Sequence, residues 1–163
     1  MEIYLGNELG NLTVQDCTAI KEMTDGKSYY QFKVSWSNYA GNCQLIVSTD
    51  YPNAREDEVR SMFLSVLASV ASQTKRTKDR LEAYVKSKFQ NPKAVVAFKD
   101  GPSCSFIFED AVRVANILSV KTNTSVEGYP FLHLFQYDSL DYAIENLTED
   151  GFEVVYIKYY GRE

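Results

Sequence analysis

The chain has almost none of the residues and motifs on which common catalytic sites depend. Histidine occurs once, at position 133 of 163 residues, which excludes sites built from two or more histidines, including His-rich zinc sites. The sequence contains no G-x-G-x-x-G, no G-x-x-x-x-G-K-[ST] and no G-x-S-x-G, the motifs that hold nucleotide phosphates or present a nucleophilic serine. We therefore predict a protein that is not an enzyme and that uses no cofactor and no metal.

Cysteine is also scarce, with three residues and no C-x-x-C pair. An odd number of cysteines without metal-binding spacing is typical of a reducing compartment. The sequence shows no charged-then-apolar leader, and no run approaches the roughly 18 apolar residues of a membrane helix. We therefore predict reduced thiols, a cytoplasmic location and no membrane partner.

Acidic residues outnumber basic residues, and the two kinds are unevenly distributed. The net charge is −5, which disfavours wholesale binding of nucleic acid or anionic membrane. Residues 75–93 hold seven basic and two acidic side chains, so this stretch is net +5 and the rest of the chain net −10. A basic protein surface is the natural complement of such an acidic body.

Residues 53–70 are the most regular stretch of the chain. Their apolar residues recur with the helical period and form one stripe: Val59, Met62, Phe63, Val66, Leu67 and Val70. Asn53 is a favourable N-cap, and Glu56 stands where it completes a capping box. A stripe this wide needs a large covering surface, which we expect the preceding strands to supply.

Three strands are predicted before this helix, over residues 12–22, 30–36 and 43–49. The middle strand is the clearest, because Phe32, Val34 and Trp36 alternate with polar residues. A change of phase near Cys17 indicates a β-bulge. Asp25-Gly26 indicates a tight hairpin turn, since both positions of that turn favour a positive φ.

A second apolar stripe follows the first in phase, at Leu81, Tyr84, Val85 and Phe89. Residues 54–89 therefore form either one long helix or an α-hairpin that turns near residues 74–77. Asn91-Pro92 ends the helical segment and marks a weak possible subdivision near residue 92.

The remainder predicts a β-hairpin, a short helix and a β-α-β unit. The hairpin strands are 94–99 and 104–108, and Asp110 caps the short helix. In the β-α-β unit, Asp138 caps the helix and Gly151 ends it. The strand at 152–160 is nearly all apolar, which indicates burial on both faces. The fold class is thus α+β in one domain, 1–163: an N-terminal three-stranded antiparallel meander on a long helix or α-hairpin, then these three units.

Cys104 and His133 are the only candidates for nucleophilic catalysis, as a thiol–imidazole pair. Nothing in their spacing brings them together, and a strand histidine between Leu132 and Leu134 is more simply a packed residue. The carboxylate clusters are explained as charges at helix ends. A small enzyme, or a protein that sequesters a small molecule, is therefore the least supported alternative.

The basic stretch predicts a second alternative, nucleic-acid binding through a basic helix. The candidate phosphate-binding residues are Lys75, Arg76, Lys78, Arg80, Lys86 and Lys88. The simpler interpretation is a solvated helix face that balances an acidic body.

The interpretation that we favour is a small acidic protein-binding module that acts stoichiometrically and neutralises a basic partner such as a nuclease or a toxin. Phage counter-defence proteins, including anti-CRISPR inhibitors, and immunity proteins share this general composition, which is a likeness of composition and not of any motif. The candidate contacts are acids of the C-terminal helix with two tyrosine anchors: Asp138, Asp141, Glu145, Glu149, Asp150, Tyr137 and Tyr142.

Overall fold

The described residues form an α+β arrangement of four helices and nine strands, and the strands make two sheets. The computed structural model describes residues 3–4, 10–20, 28–38, 43–49, 55–72, 75–135 and 139–158. Among the sequence-based expectations, the Asp25-Gly26 turn and the caps at Asn53 and Asp138 lie outside these residues.

The N-terminal sheet is an antiparallel meander whose four strands follow the chain order. Its strands are β1 (Ile3–Tyr4), β2 (Asn11–Ile20), β3 (Ser28–Trp36) and β4 (Cys43–Thr49). The three-stranded meander is confirmed, with the two-residue β1 added at its edge. The bulge is confirmed as well, because the register of β2 against β3 shifts between Val14 and Cys17.

Helix α1 (Glu56–Ser72) packs on this sheet through the stripe that its sequence predicts. The Phe63 ring stacks on the Phe32 ring with centroids 4.2 Å apart and planes 7° from parallel. Val34 and Trp36 lie in the same cluster, and Met62 is partly buried against it. The helix therefore covers the sheet face that alternation in β3 indicated.

Helix α2 (Lys75–Gln90) continues the core with Leu81, Tyr84 and Val85, all buried. Residues 73 and 74 separate it from α1 and lie outside the described residues. Whether α1 and α2 form one continuous helix or an α-hairpin depends on those two positions, so this expectation lies outside the described residues.

The C-terminal sheet is mixed. Its strands are β5 (Ala94–Asp100), β6 (Ser103–Ile107), β7 (Asn123–Thr124), β8 (Pro130–Phe135) and β9 (Glu153–Lys158). They lie side by side in the order β7-β8-β6-β5-β9. The β5–β6 hairpin is confirmed, and its turn uses Gly101 at a φ of +58°, a conformation that glycine adopts without steric cost.

The short helix is present as α3 (Phe108–Leu118), but Asp110 does not cap it. Ile107 occupies the N-cap position without a side-chain hydrogen bond, and Asp110 is fully buried within the first turn. The expected cap was wrong because the Asp110 carboxylate is occupied by partners from other elements.

The β8–α4–β9 unit, with α4 at Asp141–Glu149, follows the expected order. Gly151 ends the helix as predicted, with Phe152 N donating to Leu147 O at 2.9 Å and Gly151 N to Thr148 O at 3.1 Å, the Schellman pattern. Strands β8 and β9 are not neighbours, since β9 pairs in parallel with β5 at the sheet edge. The expected full burial of β9 on both faces was wrong, because its residues are only partly buried or exposed, and Tyr156 is 50% exposed.

Two large apolar clusters fill most of the interior of the described residues, and a third, small cluster of Tyr29, Ile46 and Val112 joins the N-terminal sheet to α3. The larger combines both sheets with α1 and α2, and joins Phe32 and Phe63 to Val96, Phe98 and Tyr129. The smaller lies between the other face of the C-terminal sheet and helices α3 and α4. The C-terminal sheet is thus buried on both faces over much of its length, with α4 on one side and α2 on the other.

Candidate protein-binding surface

Helix α4 buries one stripe and exposes the other, which places most of the predicted partner-binding acids on one outer face. Ala143 and Leu147 are buried in the smaller core. Asp141, Glu145 and Glu149 recur every four residues and are all exposed, as is Asp150 at the end of the helix. None of these four carboxylates forms an ion pair with another described residue. We call them the α4 acidic stripe.

The α4 acidic stripe is unfavourable for the helix that carries it. Like charges four residues apart on a helix repel each other. The repelling pairs here are Asp141 with Glu145, and Glu145 with Glu149. Glu149 and Asp150 also stand at the negative end of the helix dipole, where carboxylates are destabilising, and the last turn has no basic residue. Only Asp141, in the first turn, is placed favourably. The helix-end explanation of these acids from sequence therefore fails for Glu149 and Asp150.

Two exposed tyrosines lie beside the stripe. Tyr142 is 57% exposed and shares the outer face of α4 with Glu145 and Glu149. Tyr156 on β9, half exposed, lines a small cleft with Asp141 and Ile144. Partial burial raises the pKa of the Tyr156 hydroxyl, with smaller contributions from Cys104 and Asp141. Large amphipathic rings next to charge are typical of protein interfaces. Sequence reasoning missed Tyr156, because its strand was predicted to be buried.

A larger cleft, of about 330 Å³, opens at the far end of α4. Its lining joins the N-terminal sheet to α3 and to the end of α4: Gln31, Ile46, Glu109, Val112, Arg113, Asn116, Ile117, Leu147, Asp150 and Phe152. The Arg113 guanidinium pairs with Glu109 at 2.7 Å and lies 4.3 Å from the Phe152 ring centroid. Because Arg113 is already neutralised, Asp150 supplies the remaining charge of the lining.

The other two members of the predicted set, Tyr137 and Asp138, lie outside the described residues. The structure therefore brings together Asp141, Tyr142, Glu145, Glu149 and Asp150 on one surface.

The alternative phosphate-binding set does not form one surface. Lys88 is buried, and its Nζ contacts Asp110 Oδ1 and Ala94 O, each at 2.6 Å. Lys86 pairs with Glu82 at 2.9 Å. Arg80 lies over the Phe98 ring, 5.8 Å from its centroid. The side chains of Lys75, Arg76 and Lys78 are outside the description. Lys88 is thus unable to contact phosphate at the surface.

The thiol–imidazole pair does not form either. In the β6–β8 ladder, Cys104 lies opposite Leu134, and Ser105 lies opposite His133. Neighbouring residues of a strand point to opposite sheet faces, so Cys104 and His133 are on different sides of the sheet. Cys104 is buried in the smaller core, and burial raises the pKa of its thiol, the opposite of what a nucleophilic thiol requires.

Lys88 and Asp110 form a buried ion pair that joins α2, α3 and β5. Asp110 Oδ2 also accepts the Val96 amide at 2.8 Å. Burial raises the pKa of the Asp110 carboxyl to about 6, against the opposing effect of Lys88. One signal for this pair was present in the sequence, since Lys88 continues the buried stripe four residues after Tyr84.

Among the described residues, no group of three or more His, Cys, Asp or Glu side chains is placed to hold a metal ion. None of the helices described has the length and apolarity to cross a membrane. Comparisons with protein-family models, with curated proteins and with solved structures give no match.

Proposed function

We propose that the protein acts by stoichiometric binding to another protein, through the α4 acidic stripe and its two flanking tyrosines. The observation that carries the proposal is a run of carboxylates that is unfavourable for its own helix and has no ion-pair partner among the residues that the structure describes. This run lies beside Tyr142 and Tyr156, which are at least half exposed. Charges that lower the stability of their own element are expected where a surface serves binding.

The partner we propose has a basic surface, such as the nucleic-acid channel of a nuclease or a toxin. Complementary charge speeds association and rejects wrong partners, while buried aromatic anchors slow dissociation. The chain outside residues 75–93 is net −10, which adds a long-range attraction toward a basic partner. Neutralisation of such a partner is the corresponding biological role.

The test uses two charge reversals with the same change in net charge. Glu145→Lys alters the stripe, while Glu56→Lys alters an exposed acid in the first turn of α1. Immobilised wild-type and variant proteins are exposed to host lysate, and a protein retained by wild type and Glu56→Lys but not by Glu145→Lys is purified. Its activity is then titrated with the wild-type protein at several salt concentrations.

We expect inhibition that saturates near one-to-one, with association that slows as salt rises. Full inhibition by a small molar fraction of the protein would show turnover and would overturn the proposal. Equal loss of binding in both variants would show that only net charge matters and not the α4 acidic stripe.

A further inference from the structure

The cleft at the far end of α4 is lined in large part by apolar side chains from three different elements. Ile46 on β4, Val112 on α3 and Leu147 on α4 are almost fully buried, and Ile117 is partly buried beside them. All ten residues of the lining belong to the described part of the chain. The volume of about 330 Å³ is near the lower limit of about 300 Å³ for ligand pockets. A cleft of this size therefore suits one long side chain or a small ligand.

Two polar groups of the lining are unused. Neither the Asp150 carboxylate nor the Gln31 side-chain amide makes a hydrogen bond or ion pair with another described residue. Asp150 is exposed at the end of α4, while Gln31 is partly buried in the middle of β3. A carboxylate accepts hydrogen bonds, and so does the oxygen of a glutamine amide. The cleft thus offers acceptors to a group that is rich in donors.

The charge of the lining favours a cation. Glu109 and Arg113 neutralise each other through their contact at 2.7 Å, so Asp150 leaves the lining with a net charge of −1. Lys93 Nζ lies 4.8 Å from the Phe152 ring centroid, but Lys93 is outside the lining and forms no ion pair with Asp150. The α4 acidic stripe adds to the negative potential at this end of the helix.

A guanidinium group meets these conditions better than an ammonium group does. It is planar, presents five donors in a fixed fork and is more weakly hydrated. The apolar stem of an arginine packs along apolar surface while its charged head stays at the polar rim. Arg113 already shows this packing in the same cleft, since its guanidinium lies 2.7 Å from Glu109 Oε1 and 4.3 Å from the Phe152 ring centroid.

We propose that the cleft receives one arginine side chain of the basic protein partner, with the guanidinium at Asp150 and Gln31 and the stem along the apolar walls. This inference rests on the function proposed above, because the arginine belongs to the partner that the α4 acidic stripe attracts. Asp150 joins the two features, since it ends the stripe and lines the cleft. The stripe then speeds association, and the cleft fixes the orientation of the bound partner and slows its dissociation.

The first experiment needs no partner. N-acetyl-L-arginine N-methylamide is titrated into isotopically labelled protein, and amide chemical shifts are followed by nuclear magnetic resonance. The same capped forms of lysine and norleucine serve as comparisons. We expect saturable millimolar binding of the capped arginine, with shifts centred on residues 112–117 and 147–152, and weaker binding of the other two. No saturable binding, shifts centred elsewhere, or equal binding of either comparison compound would overturn the proposal.

Three variants test the site itself. Gln31→Trp fills the cleft from β3 with a residue that suits a strand, and it should abolish saturable binding of the capped arginine. Asp150→Asn should weaken this binding about 3-fold, the scale of one exposed ion pair. Asp100→Asn makes the same chemical change at an exposed acid at the far end of β5 and should leave the affinity unchanged. A dispersed amide spectrum checks that each variant is folded. Equal weakening by the two Asp→Asn variants would show a general effect of charge and would overturn the proposal.

A partner retained from lysate separates this inference from the proposed function. Gln31→Trp keeps the whole α4 acidic stripe, so the partner should still associate at the wild-type rate but dissociate about 5-fold faster or more. An unchanged dissociation rate would overturn this inference and leave the proposed function standing. If wild type retains no partner, the proposed function is overturned, and with it the assignment of the arginine to a partner, whatever the capped arginine shows.

Discussion

At the residue scale, burial decides what a charged side chain does. Lys88 looks like part of a basic surface and Asp110 like a helix cap, yet each is the other's buried partner. Lys88 Nζ also lies 5.3 Å from the Tyr84 ring centroid. Spacing shows which helix face a residue occupies, but it does not show which element packs on that face. The position of Lys88 in the apolar stripe was detectable from sequence, and its partner was not.

The buried pair predicts a dependence of stability on pH. Burial raises the pKa of the Asp110 carboxyl in the folded protein to about 6 from its ordinary value of 3.8. The contribution of this group to stability is therefore fully present below the unfolded pKa and is lost as pH rises through about 6. Urea unfolding of wild type and Asp110→Asn at pH values from about 4 to 7 measures this pH-dependent contribution to the free energy of unfolding.

Asp110→Asn keeps the shape but removes the titration. We expect the stability of wild type relative to this variant to fall as pH rises through that window. A difference that stays constant, or that grows with pH, would show that the carboxyl pKa is not raised in the folded protein.

The thiols form a second prediction at this scale. All three cysteines are free, with Cys17 partly exposed and Cys43 and Cys104 buried. Burial raises the pKa of all three thiols, and that of Cys43 to about 12. We expect a thiol reagent to modify Cys17 first and the other two only after unfolding. Fast labelling of Cys43 in Cys17→Ser would contradict this, and so would a two-proton mass loss in unreduced protein.

At the element scale, local sequence patterns predicted where each helix and strand lies in the chain better than they predicted which elements it pairs with or packs against. Alternation at Phe32, Val34 and Trp36 identified β3 and its buried face, because period and burial are both local properties. The apolar sequence of β9 indicated burial on both faces, but β9 is only partly buried and lies at the sheet edge beside β5, a pairing across more than fifty residues. Its apolar residues on one side contact α4 and on the other contact the larger core, so covering helices explain its composition.

The contact between α1 and β3 gives the sharpest packing prediction. Phe63 is fully buried and stacked on Phe32. Phe63→Ala should lower the free energy of unfolding by about 3 to 5 kcal/mol, because a cavity remains when the ring is removed. Chemical denaturation measures the change, and a loss below about 1 kcal/mol would show that the helix is not docked as described.

Helix α4 allows stability and binding to be separated. Glu145→Lys replaces two repulsive four-residue pairs by attractive ones, so we expect a gain of about 0.5 kcal/mol in the free energy of unfolding. Glu145→Gln removes the repulsion alone and should give a smaller gain. If Glu145→Lys instead destabilises the protein, the Glu145 carboxylate has a structural partner. Any loss of binding by this variant would then have a structural cause.

At the scale of the whole molecule, one core connects the two sheets. The larger cluster combines residues of β3, α1, α2 and β5 with Tyr129, the residue that precedes β8. We therefore predict a single cooperative unfolding transition, although Asn91-Pro92 suggests a possible boundary. Trp36, the one tryptophan, reports on the N-terminal sheet, while far-ultraviolet circular dichroism reports on both halves.

Coincident midpoints of the two signals are expected for one cooperative unit. A tryptophan transition that precedes the loss of helical signal would show that the N-terminal sheet unfolds by itself, and would divide the chain into two domains near residue 92.

The pairing of β9 with β5 has a consequence for the order in which the chain can fold during synthesis. The N-terminal meander pairs strands that are adjacent in sequence, so its ladders can close as soon as they leave the ribosome. Strand β5 waits for residues 153–158, and until then it presents an open row of amides and carbonyls to other nascent chains. Translation at about 5 to 20 residues per second makes this interval several seconds. Slow synthesis of the last third would therefore lengthen the period in which the protein is most prone to aggregate.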